Sequence, residues 1–423
     1  MDGITRDIIL ATVIGDALGY TLEGMGKGHI RARFGTIDDY IDPAPALKGK
    51  LHRWRKPGLY SSISQLMLIL GSYSSRRGPF LEPFIRSVRE APPLPGAPAG
   101  IFRGAGIAEQ RFINADRENL VEHTPPDLPS ARIIPSLAPL SFRDATDEQR
   151  IKDVLGYLRL YTMDYSTHAA GLVYAFLLRL PGHDGAPGGD LIEESMETAS
   201  RLAGMVEADP AAVFEGSINP DALHRELLDL RETFAALCVH GDIEDLERII
   251  IRMVSPHLTT PLARASVDIP GALVPFAVVI SSRGGDPGVL FRAVSHGGAA
   301  AALGAMTGAL SAARYGAGIV PEAPARSLIN RKRIVSLTEA LGSRRVPPSL
   351  PGEFILAEAS LTGKEAEERA ARCRHGGSAP PAKKIPGPAR EAALSRHVVE
   401  SWTKLDKSRW KRERKRKPGD EES

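Results

Sequence analysis

The sequence predicts an all-α fold, and three features carry that expectation. Apolar residues recur at helical spacing between Pro/Gly-rich stretches, long period-2 alternation is absent, and aromatic residues make up only 6% of the chain. A core poor in aromatics must be built from Ala, Leu, Ile and Val, which suits closely packed helices better than a sandwich. At 423 residues and 43% hydrophobic content the chain can bury one large core or two ordinary ones, which excludes a disordered or fibrous protein.

The elements follow in chain order. The apolar stretch 8–14 has no basic flank and runs into Asp16, and no apolar run approaches the roughly 20 residues that span a bilayer. Neither a signal peptide nor a membrane segment is expected, and the expected location is cytoplasmic. Pro/Gly-rich stretches at 92–98, 181–189, 347–352 and 376–388 each interrupt any continuous helix. Between them, Leu223, Leu227, Leu230 and Phe234 mark one amphipathic helix, and Ile243, Leu246, Ile250 and Met253 another. Segment 299–313 is uncharged and small on nearly every face, so as a helix it belongs at the centre of a bundle. The division expected is one helical-bundle domain over 4–342, a Pro/Gly-rich linker over 343–393 and a basic tail over 394–423. Nine basic residues fall within 404–417, so the net charge of +3 resides in the tail. That tail is expected to be solvated, with Trp402 and Trp410 keeping open a weak contact to nucleic acid by stacking. Only Cys238 and Cys373 occur, which excludes a disulfide scaffold or a thiolate-rich metal site. Cys238 is expected to be inert core, and Cys373 to lie in linker.

Gly15-Asp16-Ala17-Leu18-Gly19, the segment 57–65, Arg132 with Pro135, Thr167-His168 and the run Gly297-Gly298-Ala299-Ala300-Ala301-Ala302 follow one another in an order that resembles the motifs of the ADP-ribosylglycohydrolase family (dinitrogenase reductase activating glycohydrolase-like). Gly15-Asp16-Ala17-Leu18-Gly19 with Glu23 is similar to its first motif. Phe34-Gly35 with Ile37-Asp38-Asp39-Tyr40 and the run Pro57-Gly58-Leu59-Tyr60-Ser61-Ser62-Ile63-Ser64-Gln65 resemble its next two. Arg132 with Pro135, then Thr167-His168, match later positions, and Gly297-Gly298-Ala299-Ala300-Ala301-Ala302 aligns with a Gly-Gly-Asp-x-Asp-Thr motif. The resemblance implies an all-α domain whose cleft, in active members, holds two Mg²⁺ and ADP-ribose, and hydrolyses a bond to the anomeric carbon.

Carried across, the implied metal-ligand positions are Glu23, Ser61, Ser62, Ile63, Ala299, Ala301 and Ala302, where the family has Glu, Thr, Asp, Asp, Asp, Asp and Thr. One carboxylate remains of five. Two divalent cations facing a single carboxylate would carry uncompensated charge, so a degenerate dimetal site and no cofactor are expected. The implied ligand cleft adds His168, Gly297 and Gly298. The functional expectation is a catalytically degenerate member, a pseudoenzyme, acting as a binding or interaction protein for ADP-ribose or an ADP-ribosylated partner. The alternative is an active hydrolase of ADP-ribosyl or related N- or O-glycosidic bonds with a rebuilt site, whose catalytic candidates are Glu23, Asp164, His168 and His296. Bland readings stand beside these: the glycines as helix-packing points, Asp16 as a hydrogen-bonded structural carboxylate, and His168 as a residue near a helix start capped by Ser166 or Thr167.

Overall fold

The computed structural model describes residues 2–76, 78–115, 128–179, 190–210, 218–238 and 270–374. The first helix, α1 (Asp2–Tyr20), carries apolar side chains on most of its circumference, and Ile8, Ile9, Ala11, Val13, Ile14, Ala17 and Leu18 are all buried. After it come α2 (Lys27–Phe34), α3 (Ser62–Ser74), α4 (Leu81–Arg89), α5 (Ile107–Ile113), α6 (Ala138–Ser141), α7 (Asp147–Leu158), α8 (Tyr165–Leu177) and α9 (Leu191–Ala208). The rest of the domain is α10 (Pro220–Cys238), α11 (Pro270–Ser282), α12 (Gly288–Ser295), α13 (Ala300–Tyr315), α14 (Glu322–Ser327), α15 (Arg331–Gly342) and α16 (Leu350–Arg374). Short 3-10 turns at Leu51–Arg53 and Ala131–Leu137 complete the parts that matter to the cleft. Among the described residues there is no strand, only an isolated bridge between Gly26 and Gly297, and no helix is long and apolar enough to cross a membrane.

Several helix starts follow from short polar side chains that accept from the first free amides. Ser61 caps α3 through Ile63 N–H at 3.2 Å, Thr146 caps α7 through Gln149 N–H at 3.2 Å, and Asp190 caps α9 through Ile192 N–H at 3.0 Å. The amphipathic α10 buries Leu223, Leu227, Leu230, Phe234 and Leu237 against α8 and α9. Cys238 stands four residues after Phe234, on the side of that stripe, yet it is exposed as the last residue of α10, so the core expectation for it is corrected. The second amphipathic segment, over 243–253, lies outside the described residues.

The centre of the domain is α13, whose residues from Ala300 to Ala313 are all buried. It packs most extensively on α1, and the two backbones meet. A β-carbon added to Gly15 would sit 2.0 Å from the carbonyl oxygen of Gly304, one on Gly19 2.1 Å from that of Ala300, and one on Gly308 2.4 Å from that of Ala11. Positions rise by four on α1 as they fall by four on α13, so two antiparallel rows of small residues interlock. The expected central placement of this small-residue helix is thereby realised.

The linker expected over 343–393 is corrected where the structure describes it. Residues 350–374 form α16, which buries Phe354, Ile355, Glu358, Thr362 and Glu365 against the body. Pro351 and Gly352 do not stop it, because in the first helical turn an amide donor is not required and a proline φ is already helical. Cys373 is exposed near the end of this helix. The remainder of the linker and the basic tail lie outside the described residues.

What holds α16 is mostly polar. Glu358 is fully buried and accepts from Arg103 Nη2 at 2.5 Å, Tyr60 Oη at 2.5 Å, Gln65 Nε2 at 3.0 Å and Asn330 Nδ2 at 3.0 Å. One turn on, Thr362 Oγ1 accepts from Arg103 Nη1 at 2.9 Å and donates to the Ile101 carbonyl at 2.8 Å. Two turns on from Glu358, Glu365 accepts from Lys56 N–H at 2.9 Å and Tyr20 Oη at 3.3 Å. Burial by itself depresses the pKa of Arg103, but Glu358, with smaller contributions from Tyr60, Tyr20 and Glu365, together more than offset it, so the pKa is raised and the guanidinium stays charged.

Gly15→Ala or Gly304→Ala should cost about 3 kcal/mol or more, because backbone rather than a flexible side chain occupies the space. Gly204→Ala on α9, where a β-carbon meets nothing within 4 Å, should be neutral or stabilise by up to ~1 kcal/mol. Urea denaturation of the three variants measures both. In the same assay Glu358→Ala should lower stability by about 3–5 kcal/mol, the cost of leaving a buried guanidinium without its carboxylate.

Candidate functional site

The cleft is assembled where α1 ends. Gly24 N–H donates to the Gly298 carbonyl at 2.7 Å, and Gly298 N–H donates to the Met25 carbonyl at 2.7 Å, which lays the turn after α1 against the turn before α13. Gly297 and Gly298 both have φ near +65 to +70°, and a β-carbon on Gly297 would sit 2.1 Å from the Met25 carbonyl oxygen. Only glycine meets both demands there. The result brings Glu23 to the start of α13.

Both oxygens of Glu23 are engaged. Oε2 accepts from Ala301 N–H at 2.8 Å, so the carboxylate caps a helix N-terminus whose own cap residue, Ala299, offers no side-chain acceptor. Oε1 accepts from Arg132 Nη1 at 2.7 Å, and the Arg132 side chain is only 7% exposed. The Nε of Arg132 lies 3.3 Å from Oε2 of Glu109, itself buried. Glu109 accepts from Ser62 Oγ at 2.7 Å and from Gly106 N–H. A continuous polar chain thus runs from Ser62 through Glu109, Arg132 and Glu23 to Ala301 and joins the three expected segments, of which Glu23 lines the cavity while 61–63 and 299–302 are buried.

The remaining candidates divide. Ser61 Oγ is used as the α3 cap, and Ile63, Ala299, Ala301 and Ala302 are buried apolar positions. Asp16 lies beneath this floor, and its Oδ2 accepts from Ser61 N–H at 3.0 Å, Ser64 N–H at 3.1 Å and Ser64 Oγ at 2.6 Å. Burial raises its pKa above the ordinary carboxylate value, opposed by those hydrogen bonds, which is the structural role expected of it. Asp164, rather than Ser166 or Thr167, caps α8, accepting from Thr167 N–H at 2.7 Å and from both hydroxyls.

His168 is fully buried, its Nε2 is 3.0 Å from the Thr162 carbonyl and its ring meets Tyr165 edge-on. None of these contacts belongs to Glu23, 61–63 or 299–302. His296 ends α12 and meets Phe276 edge-on at 4.7 Å, with Lys27 close enough to act on its charge. Glu23, His168 and His296 are not gathered, and among the described residues no group of three or more His, Cys, Asp or Glu side chains is placed to hold a metal ion.

Sequence reasoning missed Glu109, the partner of Arg132. The signal available was a glutamate three residues after Gly106, the place from which a carboxylate reaches back to the amide that opens a helix. It also missed the basic wall of the cleft, contributed by residues 48–55 and by Arg369 of α16.

Burial lowers the pKa of His168 to about 4. An imidazole with an ordinary pKa of about 6.5 when unfolded then takes up a proton more readily in the unfolded chain, so stability is fully present above pH 6.5 and falls as pH drops towards 4. Between pH 7 and 5 this group alone should remove about 2 kcal/mol. His168→Gln, which keeps an N–H donor for the Thr162 carbonyl, should show less of that loss in denaturant titrations at the two pH values.

Over residues 5–349 the chain matches the family model described as ADP-ribosylglycohydrolase. No curated protein matches. Among solved structures, the chain is similar to one titled "ADP-ribosylglycohydrolase-related protein complex", at 20% identity and a TM-score of 0.51, covering 81% of this chain and 98% of that one. At that identity the likeness concerns the fold, and the all-helical architecture agrees with it. The match begins within α1 and ends one residue before α16, so it takes in the glycine interlock and the three segments joined by the polar chain: the chain belongs to the ADP-ribosylglycohydrolase family.

Proposed function

We propose that this protein is a non-catalytic member of the family that uses the cleft beside Glu23 to bind ADP-ribose or an ADP-ribosylated partner. The observation that carries the reading is the state of Glu23: the one carboxylate left at the family's metal-ligand positions spends its two oxygens on Arg132 and on the Ala301 amide. Paired magnesium ions need hard oxygen ligands in near-octahedral array. Ser62 donates its hydroxyl to Glu109, and Ile63, Ala299, Ala301 and Ala302 have no side-chain oxygen, so the residues present do not fit that pair. An arginine beside Glu23 supplies the positive charge a cation would otherwise bring, and no step of hydrolysis is assigned. Two cysteines without a disulfide suit a reducing, cytoplasmic setting.

The test joins calorimetry with ADP-ribose and with Mg²⁺ to an assay for ADP-ribose released from ADP-ribosyl-arginine. The natural protein should bind ADP-ribose without added metal and release none. Combining Ser62→Asp, Ile63→Asp, Ala299→Asp, Ala301→Asp and Ala302→Thr should create magnesium binding, and any one alone should not, since a single added carboxylate leaves the cations largely unbalanced. Chelator-sensitive turnover by the natural protein would overturn the reading.

A further inference from the structure

Beside Glu23 the cleft opens into a cavity of about 520 Å³, within the range of small-molecule sites. Its walls carry Lys48, Lys50, Arg53, Arg55 and Arg369, and the only acid among its lining residues is Glu23, already neutralised by Arg132. Two of the cations are built in. Arg55 Nη1 donates to the Tyr20 carbonyl at 2.7 Å with its guanidinium 4.7 Å over the Tyr20 ring, and Arg369 Nε donates to the Trp54 carbonyl at 2.9 Å while Nη2 meets Glu365 at 3.1 Å. The other three, Lys48, Lys50 and Arg53, are exposed, and none has a carboxylate partner among the described residues. They are grouped by a tight backbone: Lys48 and Gly49 have φ of +43 and +83°, and the turn Leu51–Arg53 follows at once. Arg369 is balanced by Glu365, but Lys48, Lys50, Arg53 and Arg55 meet no carboxylate among the described residues, so this concave wall carries an excess of positive charge that is complementary to an anion and focuses its approach. A single phosphate is far smaller than the cavity, whereas a phosphate chain carries charge along its length and accepts from both guanidinium forks and ammonium groups.

We infer that this cavity is a metal-independent site for a chain of two or more phosphoryl groups, free or carried by a nucleoside or sugar, held by Lys48, Lys50, Arg53, Arg55 and Arg369. The inference deepens the binding reading above and rests on it for the site's use. Arg369 comes from α16, outside the family-matched segment, so this recognition is a property of this chain's own C-terminal helix.

The experiment is calorimetry on the full chain with inorganic pyrophosphate, ADP-ribose and adenosine, each with chelator, at low and raised salt. Pyrophosphate and ADP-ribose should bind with an affinity that falls with salt, and adenosine should bind much more weakly. Lys50→Glu with Arg53→Glu should weaken pyrophosphate by about tenfold or more. Arg225→Glu with Arg231→Glu makes the same change in net charge on the exposed face of α10, which lines no part of the cavity, and should leave affinity within about twofold. If the two double variants weaken pyrophosphate equally, or if chelator abolishes binding, the site is not this one and the inference falls. ADP-ribose binding without pyrophosphate binding, and insensitive to Lys50→Glu with Arg53→Glu, overturns the inference and leaves the proposed function standing. Pyrophosphate binding through those residues without ADP-ribose binding does the reverse, and binding of neither overturns both.

Discussion

The backbone contact between α1 and α13 is the constraint on which the cleft depends. Gly15 against Gly304, Gly19 against Ala300 and Gly308 against Ala11 bring two buried helices closer than any side chain would allow. That approach fixes where α1 ends and where α13 begins, and the paired turns at 24–26 and 297–298 lock the two ends together. Glu23 lies within reach of the Ala301 amide because of this interlock rather than through any local preference of its own segment. A methyl group at Gly15 would push apart the elements that carry the site, so the packing and the site share one physical cause.

Charge buried in pairs is the second organising feature. Glu23, Arg132 and Glu109 form one group and Arg103 with Glu358 another, each with hydrogen bonds filling the remaining lone pairs. Buried ion pairs add little net stability when compared with apolar packing, but removing one partner is costly, so they act mainly to specify one arrangement. Here the Arg103 group specifies where α16 docks, and α16 in turn delivers Arg369 to the wall of the cleft. The helix beyond the family-matched segment therefore contributes to the shape and charge of the binding cavity.

Much of the fold was legible from residue spacing. The Leu223 to Phe234 stripe, the small-residue centre at 299–313 and the glycine pairs each have a local signature that dictates burial. The substitutions at 62, 63, 299, 301 and 302 were legible for a similar reason, since an alanine cannot ligate a cation in any fold. α16 was not legible. Pro351 and Gly352 read as a break, and its buried face presents Glu358 and Glu365 where a periodicity argument looks for apolar residues. Cys238 shows the converse limit: its spacing from Phe234 reads as core, yet it is exposed where α10 ends.

By itself the sequence determined the helical class, the central place of the uncharged segment and the loss of oxygen ligands from positions where the family carries them. Those are matters of side-chain chemistry and helical period, which each segment holds independently of the rest. Only the tertiary structure decided that Arg132 stands between Glu23 and Glu109, that Arg103 makes a buried glutamate helix tolerable, and that five cations from two distant segments share one cavity. Electrostatic partners are set by distance in space, and a charge separated from its counter-charge by more than 200 positions leaves no local trace of the pairing.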